Sequence, residues 1–349
     1  MRLEARGSPA PPPRAVIFGC EGEELAPAEE RFFASANPLG FILFRRNCRA
    51  PRQLKDLVAA LRASVGREDA IVSIDQEGGR VARLSPPSWR LYPSAARLAS
   101  LPDPLAEEAV RLGARLMADD LGRLGITVDL APVLDLAVAG ADPVIGERSY
   151  GSDPRRVARL GEAAAAGLLE GGVLPVMKHI PGHGRAAIDS HRAKPVVDIP
   201  RAELSRTDFA PFRALRTKPW AMTAHIVFSA IDAEAPATFS KKVVSEVIRG
   251  EIGFDGVLVS DDLTMRALEG PLEERAKRTL AAGCDLVLHC NADRREMERV
   301  AAATPAISAE TAARLERAEA LRRQSRVPSF DREAAEARFE ALLAESSAR

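Results

Sequence analysis

The residues best equipped for chemistry crowd into one stretch, KHIPGHGRAAIDSH, Lys178 to His191, which holds three of the chain's five histidines: His179, His183 and His191. Pro181, Gly182 and Gly184 predict a loop there rather than a regular helix or strand. Three readings fit these residue types. His179, His183, Asp189 and His191 offer the donors that zinc takes, although metal-dependent barrels usually draw ligands from several strands. A shaped structural loop is the second reading. In the third, Asp189 and His191, two apart in a bent loop, form a proton-transfer pair. The carboxylate then holds one imidazole nitrogen while the other faces a cavity as a general acid/base. These residues alone leave the choice open.

A second group stands in VSDDLTM, where Asp261 and Asp262 close an apolar run. Adjacent side chains at a strand end point to opposite sides, so at most one of the two is expected to enter a cavity. The other is expected to cap the next helix. A carboxylate facing a His acid/base across a mouth rich in Arg and Lys suits double displacement at an acetal carbon. His225 and His289, each beside apolar strand residues, read as satisfied structural histidines.

Eight apolar, strand-like runs, separated by helix-length segments, must position these groups: AVIFGCEG from Ala15, GFILFRRN from Gly40, AIVSIDQ from Ala70, ITVDLAPVLD from Ile126, GVLPVMKHI from Gly172, AMTAHIVF from Ala221, GVLVSDD from Gly256 and DLVLHCN from Asp285. Residues 104–124 carry helical spacing at Val110, Met117, Leu121 and Leu124. Nearly continuous apolar strands suit a parallel sheet covered by helices, and eight such units predict a (β/α)8 barrel. A doubly wound open sheet is the alternative, weakened because no G-x-G-x-x-G follows the first strand and no P-loop occurs. The barrel is expected over 15–307, after a loose Pro-rich leader over 1–14. A helical segment over 308–349 is expected to pack on its outside. Sites in such barrels lie at the C-terminal ends of the strands. SIDQEGGRVAR, MKHIPGHG, TAHIVF and VSDDLTM stand there, with VIGERSYG in the loop after the fourth strand.

Forty-nine basic residues balance forty-nine acidic ones, so no global field favours nucleic acid or an anionic membrane. No apolar run approaches the ~18 residues of a membrane span, and the N-terminus has no apolar core of a secretory signal. Cys20, Cys48, Cys284 and Cys290 form no C-x-x-C pair and read as buried free thiols of a reducing cytoplasm.

Taken in chain order, IDQEGGRVARL, GERSY, KHIPGHG, DSH and SDDLTM resemble glycoside hydrolase family three, and within it the single-domain β-N-acetylglucosaminidases. The match runs from about Val16 to Asn291. The resemblance implies a (β/α)8 catalytic domain that needs no metal and no cofactor. It implies Asp261 as nucleophile with Asp262 as its structural neighbour, and His191 as acid/base with Asp189 as its dyad partner. Asp75, Arg83, Arg148, Lys178 and His179 correspond to the sugar-binding positions, and His183 is given only a loop-shaping role. Ile180 stands where the family often has an aromatic residue, and RAAI fills the variable part of the acid/base loop.

The activity so implied is a retaining, exo-acting β-N-acetylglucosaminidase. It acts on a small carbohydrate, the muropeptide N-acetylglucosaminyl-1,6-anhydro-muramoyl peptide, in cytoplasmic peptidoglycan recycling. No nucleic acid, membrane or obligatory protein partner is implied. A phosphorylase using the same residues is the nearest rival, since a His acid/base does not repel phosphate as a carboxylate would. A metal-dependent barrel hydrolase and a non-catalytic sugar-binding protein are the others.

Overall fold

The computed structural model describes residues 11–345. Eight parallel strands close into a barrel in chain order: β1 (Arg14–Gly19), β2 (Pro38–Leu43), β3 (Ile71–Ile74), β4 (Val128–Asp129), β5 (Leu174–Ile180), β6 (Trp220–Thr223), β7 (Val257–Asp262) and β8 (Leu286–His289), which pairs back onto β1. Each falls on one of the runs expected from the sequence. Closure rules out the open doubly wound sheet. β4 is the shortest because Pro132, just beyond it, has no N–H to give a ladder. The chain still follows β5 irregularly, with Val176 N–H donating to Ala131 O and Val133 bridging Lys178.

Two apolar layers hold the barrel. Alternate strand residues, among them Ile17, Ile42, Val128, Val176, Met222, Val257, Val259 and Leu288, fill its interior. Their neighbours, among them Phe18, Phe41, Val72, Met177, Leu258 and Val287, face the helices. Both faces of every strand are therefore buried, which is why the strands read as unbroken apolar runs. Outside them, helix Asp103–Arg123 buries Val110, Met117 and Leu121. It packs against helix Pro154–Glu170, whose first turn is capped by the Asp153 carboxylate, which accepts Arg155 N–H.

The C-terminal segment folds as helices Ala309–Ser325 and Arg332–Glu345 on the barrel's outside. Ser308 Oγ caps the first, Arg314 pairs with Asp285, and Phe339 of the second is fully buried. β1 begins at Arg14, one residue before the barrel start expected from the sequence; residues 1–10 of the expected leader and 346–349 of the tail lie outside the described residues. Among the described residues, no helix is long and apolar enough to cross a membrane.

Candidate active site

Alternation along the strands carries functional groups into the mouth of the barrel. On β7, Val257 and Val259 face inward, so Asp261, two residues further, emerges inside the C-terminal rim. On β3, Ser73 and then Asp75 follow the same parity. On β5, Leu174 and Val176 point inward, and Lys178 comes next. The β5–β6 register shifts between Lys178 and Ile180, and this irregularity re-aims His179 into the same space. The result is a cavity of about 540 Å³ lined by all eight residues expected to act: Asp75, Arg83, Arg148, Lys178, His179, Asp189, His191 and Asp261.

One wall is a buried lattice of charges. Lys178 Nζ donates to Asp75 Oδ1 at 2.8 Å and lies 2.6 Å from Glu77 Oε1. Arg83 donates to Asp75 Oδ2 at 2.8 Å, and its guanidinium stacks 5.2 Å from the Phe44 ring centre. Arg148 makes a bidentate pair with Glu77, 2.8 Å at both contacts. Burial by itself would raise the Asp75 carboxyl, but Lys178 and Arg83 outweigh it and hold Asp75 far below the carboxylate range. Burial likewise opposes the Lys178 charge, and Asp75 and Glu77 keep that ammonium above its ordinary value. The wall therefore stays ionised, and each Asp75 oxygen keeps a lone pair for a ligand hydroxyl.

At the opposite rim, the loop after β5 presents the dyad. Gly184 is required here, because a Cβ would lie 2.1 Å from Leu136 O. Asp189 Oδ1 accepts the His191 main-chain N–H at 2.9 Å and lies 2.7 Å from His191 Nδ1. Burial raises the Asp189 carboxyl, but these bonds and the His191 charge bring it below its usual value. The His191 side chain is 64% exposed, which leaves Nε2 free for a leaving group or water. The loop is tied down by Asp189 N–H to Asp142 Oδ2, Asp142 N–H to Ala186 O and Ala267 N–H to Ser190 O.

Asp261 Oδ2 lies 4.0 Å from His179 Nε2, and Asp261 Oδ1 accepts the Asp262 N–H at 2.8 Å. Burial would raise its pKa; His179, His225, the Asp262 N–H and Lys178 together lower it. Asp261 is thus anionic and only 19% exposed. Both aspartates contribute to the cavity lining, where the alternation rule allowed one. The Asp262 carboxylate is nevertheless engaged, accepting from Thr264 N–H, Thr264 Oγ1–H and Cys290 N–H. It caps a turn, where one of the pair was expected to cap a helix.

The four candidate zinc donors do not converge. His179 Nδ1 is bound to Asp135, His183 Nε2 faces Ser190 Oγ, and His191 Nδ1 is bound to Asp189. Among the described residues, no group of three or more His, Cys, Asp or Glu side chains is arranged to hold a metal ion. His183 is buried beside Asp135, which accepts its N–H, and burial and His179 pull its ring down to about 4. His289 departs from the satisfied histidine expected: it is buried edge-on to Phe18, and neither ring nitrogen has a hydrogen-bond partner among the described residues, Nε2 lying 3.8 Å from Glu296 Oε2.

Two site residues escaped the sequence reading. Glu77 sits two residues after Asp75, so an extended chain puts both carboxylates on one side; that spacing was the available signal. Asp135 gathers the N–H groups of His179 and His183 and contacts the His179 ring at 2.6 Å. Its signal was its place at the end of the fourth apolar run.

The glycosyl hydrolase family 3 N-terminal domain profile matches residues 26–325. The chain belongs to glycosyl hydrolase family 3. Two proteins named β-hexosaminidase illustrate the relationship. That of Alkalilimnicola ehrlichii is 41% identical over 79% of this chain and 80% of its own. That of Pseudomonas aeruginosa is 40% identical over 80% and 82%. Among solved family 3 structures, NagZ from Neisseria gonorrhoeae with N-trifluoroacetyl-D-glucosamine superposes with a TM-score of 0.84. It is 33% identical and covers 95% of this chain and 98% of that one. A family 3 β-N-acetylglucosaminidase from Paenibacillus sp. gives a TM-score of 0.80 at 33% identity, over 95% of this chain and 66% of that one. The barrel is thus a family 3 glycoside hydrolase of the β-hexosaminidase, NagZ-like type.

Proposed function

We propose that this enzyme is a retaining exo-β-N-acetylglucosaminidase that removes N-acetylglucosamine from a non-reducing end. The observation that carries this reading is the Asp189–His191 contact of 2.7 Å on the rim of the cavity into which Asp261 points. Asp261 attacks the anomeric carbon and forms a covalent glycosyl-enzyme while His191 Nε2 protonates the departing oxygen. His191 then takes a proton from water, which attacks the same carbon, and two inversions leave the β configuration. An imidazole can give and take a proton near neutral pH, where an unperturbed carboxyl is almost wholly ionised. Asp75, Arg83, Arg148, Lys178 and His179 bind the sugar.

The substrate we assign is N-acetylglucosaminyl-1,6-anhydro-muramic acid with or without its peptide, processed in the cytoplasm during peptidoglycan recycling. The likeness to the Neisseria and Paenibacillus proteins supports the sugar, and four free cysteines fit a reducing compartment. The test is the anomer released from an N-acetylglucosaminide, read by proton NMR within the first minutes. β-N-acetylglucosamine is the expected product; α overturns retention, and N-acetylglucosamine 1-phosphate formed in phosphate buffer makes the enzyme a phosphorylase.

No metal takes part in this scheme. Exhaustive EDTA treatment is expected to leave turnover intact, and a loss that returns with added zinc refutes it. Asp75→Ala is expected to raise KM and lower kcat together, by about tenfold or more in kcat/KM, because hydroxyl contacts tighten as the ring flattens in the transition state. Lys178 keeps Glu77 as a partner, so the variant should still fold. Wild-type kinetics for it would place the sugar elsewhere.

A further inference from the structure

A hydrogen-bonded chain that begins outside the cavity ends at Asp261. His225 is fully buried behind β7 and does not touch the cavity. Its Nε2 lies 3.0 Å from the main-chain oxygen of Asp262, and its Nδ1 lies 2.7 Å from Thr238 Oγ1. A carbonyl can only accept, so Nε2 carries the proton. Burial keeps the ring neutral, which leaves Nδ1 to accept from the Thr238 hydroxyl. Thr223 Oγ1, 2.8 Å from Thr238 Oγ1, supplies the next proton in line. The Ala224 carbonyl, 3.2 Å from Thr238 Oγ1, is the longer competitor for the Thr238 proton.

We propose that His225 is a positioning residue for the Asp261 carboxylate, acting through Asp262. Asp262 is gripped at every polar group. Its carbonyl takes the His225 N–H at 3.0 Å and the Met265 N–H at 3.2 Å, its carboxylate takes Thr264 and Cys290, and its own N–H is given to Asp261 Oδ1. With those grips in place the Asp262 N–H cannot swing, so Asp261 Oδ1 stays occupied and Oδ2 is the oxygen left facing the cavity and His179. Without the His225 bond the carbonyl is held by the Met265 N–H alone, at 3.2 Å, so the backbone at Asp262 loosens and the carboxylate loses its fixed aim. A displacement of about 1 Å at a reacting group is enough for a rate loss of about 100-fold.

This inference rests on Asp261 being the nucleophile, which Asp261→Asn tests separately. His225→Leu is expected to lower kcat by about 100-fold on aryl and disaccharide substrates alike, while the Ki of N-acetylglucosamine as competitive inhibitor stays within about twofold. Asp261 faces His179, His183, His225, Lys178, Cys290 and the Asp262 N–H. Loosening the Asp262 N–H favours the protonated carboxyl, so the acidic limb of kcat/KM moves to higher pH. His225→Gln, whose Nε2 donor reaches the same carbonyl, is expected to restore most of the rate. If His225→Leu does not fold, Thr238→Val provides the second variant, with a smaller kcat loss and the same unchanged Ki. In the wild-type protein, nitrogen-15 NMR should show His225 as the Nε2–H tautomer with a slowly exchanging proton. Wild-type kcat in His225→Leu or Thr238→Val, a loss confined to KM, no rescue by Gln, or an Nδ1–H tautomer each overturns the proposal. An active Asp261→Asn enzyme overturns the underlying reading instead.

Discussion

Asp261→Asn is expected to abolish turnover on every N-acetylglucosaminide, with a loss on the order of 10⁴-fold or more in kcat. No glycosyl-enzyme can form without a nucleophile, however good the leaving group. Asn is isosteric, and its Oδ1 can still accept the Asp262 N–H that holds Asp261. The removed charge faces His179 and Lys178, which remain paired with Asp135, Asp75 and Glu77. The fold and the affinity for N-acetylglucosamine should therefore survive. Steady-state assays on nitrophenyl N-acetylglucosaminide and on a disaccharide, with the Ki of the free sugar as binding control, decide the matter. Retention of a few per cent of activity on either substrate removes Asp261 from the nucleophile's role.

His191→Ala is expected to produce a different signature, because an acid/base matters in proportion to the leaving group's need for a proton. A sugar alkoxide departs poorly without protonation, so hydrolysis of a disaccharide should fall by about 10³-fold. A nitrophenolate departs unaided, so the first step on the aryl glycoside should fall by less than about tenfold, well short of the roughly 10²–10⁴-fold that general acid catalysis supplies. The second step then becomes slow for want of a base, and a burst of nitrophenol should precede the steady state. Azide attacks without surrendering a proton; its addition should accelerate turnover and give β-glycosyl azide. The side chain is mostly exposed and, among the described residues, bound only to Asp189, so the substitution carries little structural cost. Equal losses on both substrates with no azide effect would make His191 structural.

Much of the site was legible because its residues arrive in compact motifs at strand ends. KHIPGHG, DSH, SDDLTM and DQEGGRVAR each sit where a parallel barrel puts its mouth, so naming the strands already assembled the cavity. The Asp189–His191 pair was readable for a local reason: residues two apart in a turn can touch whatever the rest of the chain does. Asp135 was not readable in this way. Its partners His179 and His183 lie on another strand and the loop beyond it, and only the β4–β5 pairing brings them within 2.6 Å of the carboxylate. The Arg148–Glu77 pair is of the same kind, since the residues come from separate loops.

The sequence by itself determined the barrel, its order and the neighbourhood of the chemistry, because eight unbroken apolar runs between helices have few ways to bury both faces. It did not determine which side chain of a run turns inward. Where both faces are buried, Val257, Leu258 and Val259 are equally apolar, and no period of two marks the interior. Tertiary closure decided that Val257 and Val259 line the barrel, and with them that Asp261 aims at the cavity while Asp262 caps the turn. Tertiary closure also put the buried ring of His225 behind that turn, since its contact with the Asp262 carbonyl joins a segment beyond β6 to the end of β7 and has no counterpart in sequence spacing.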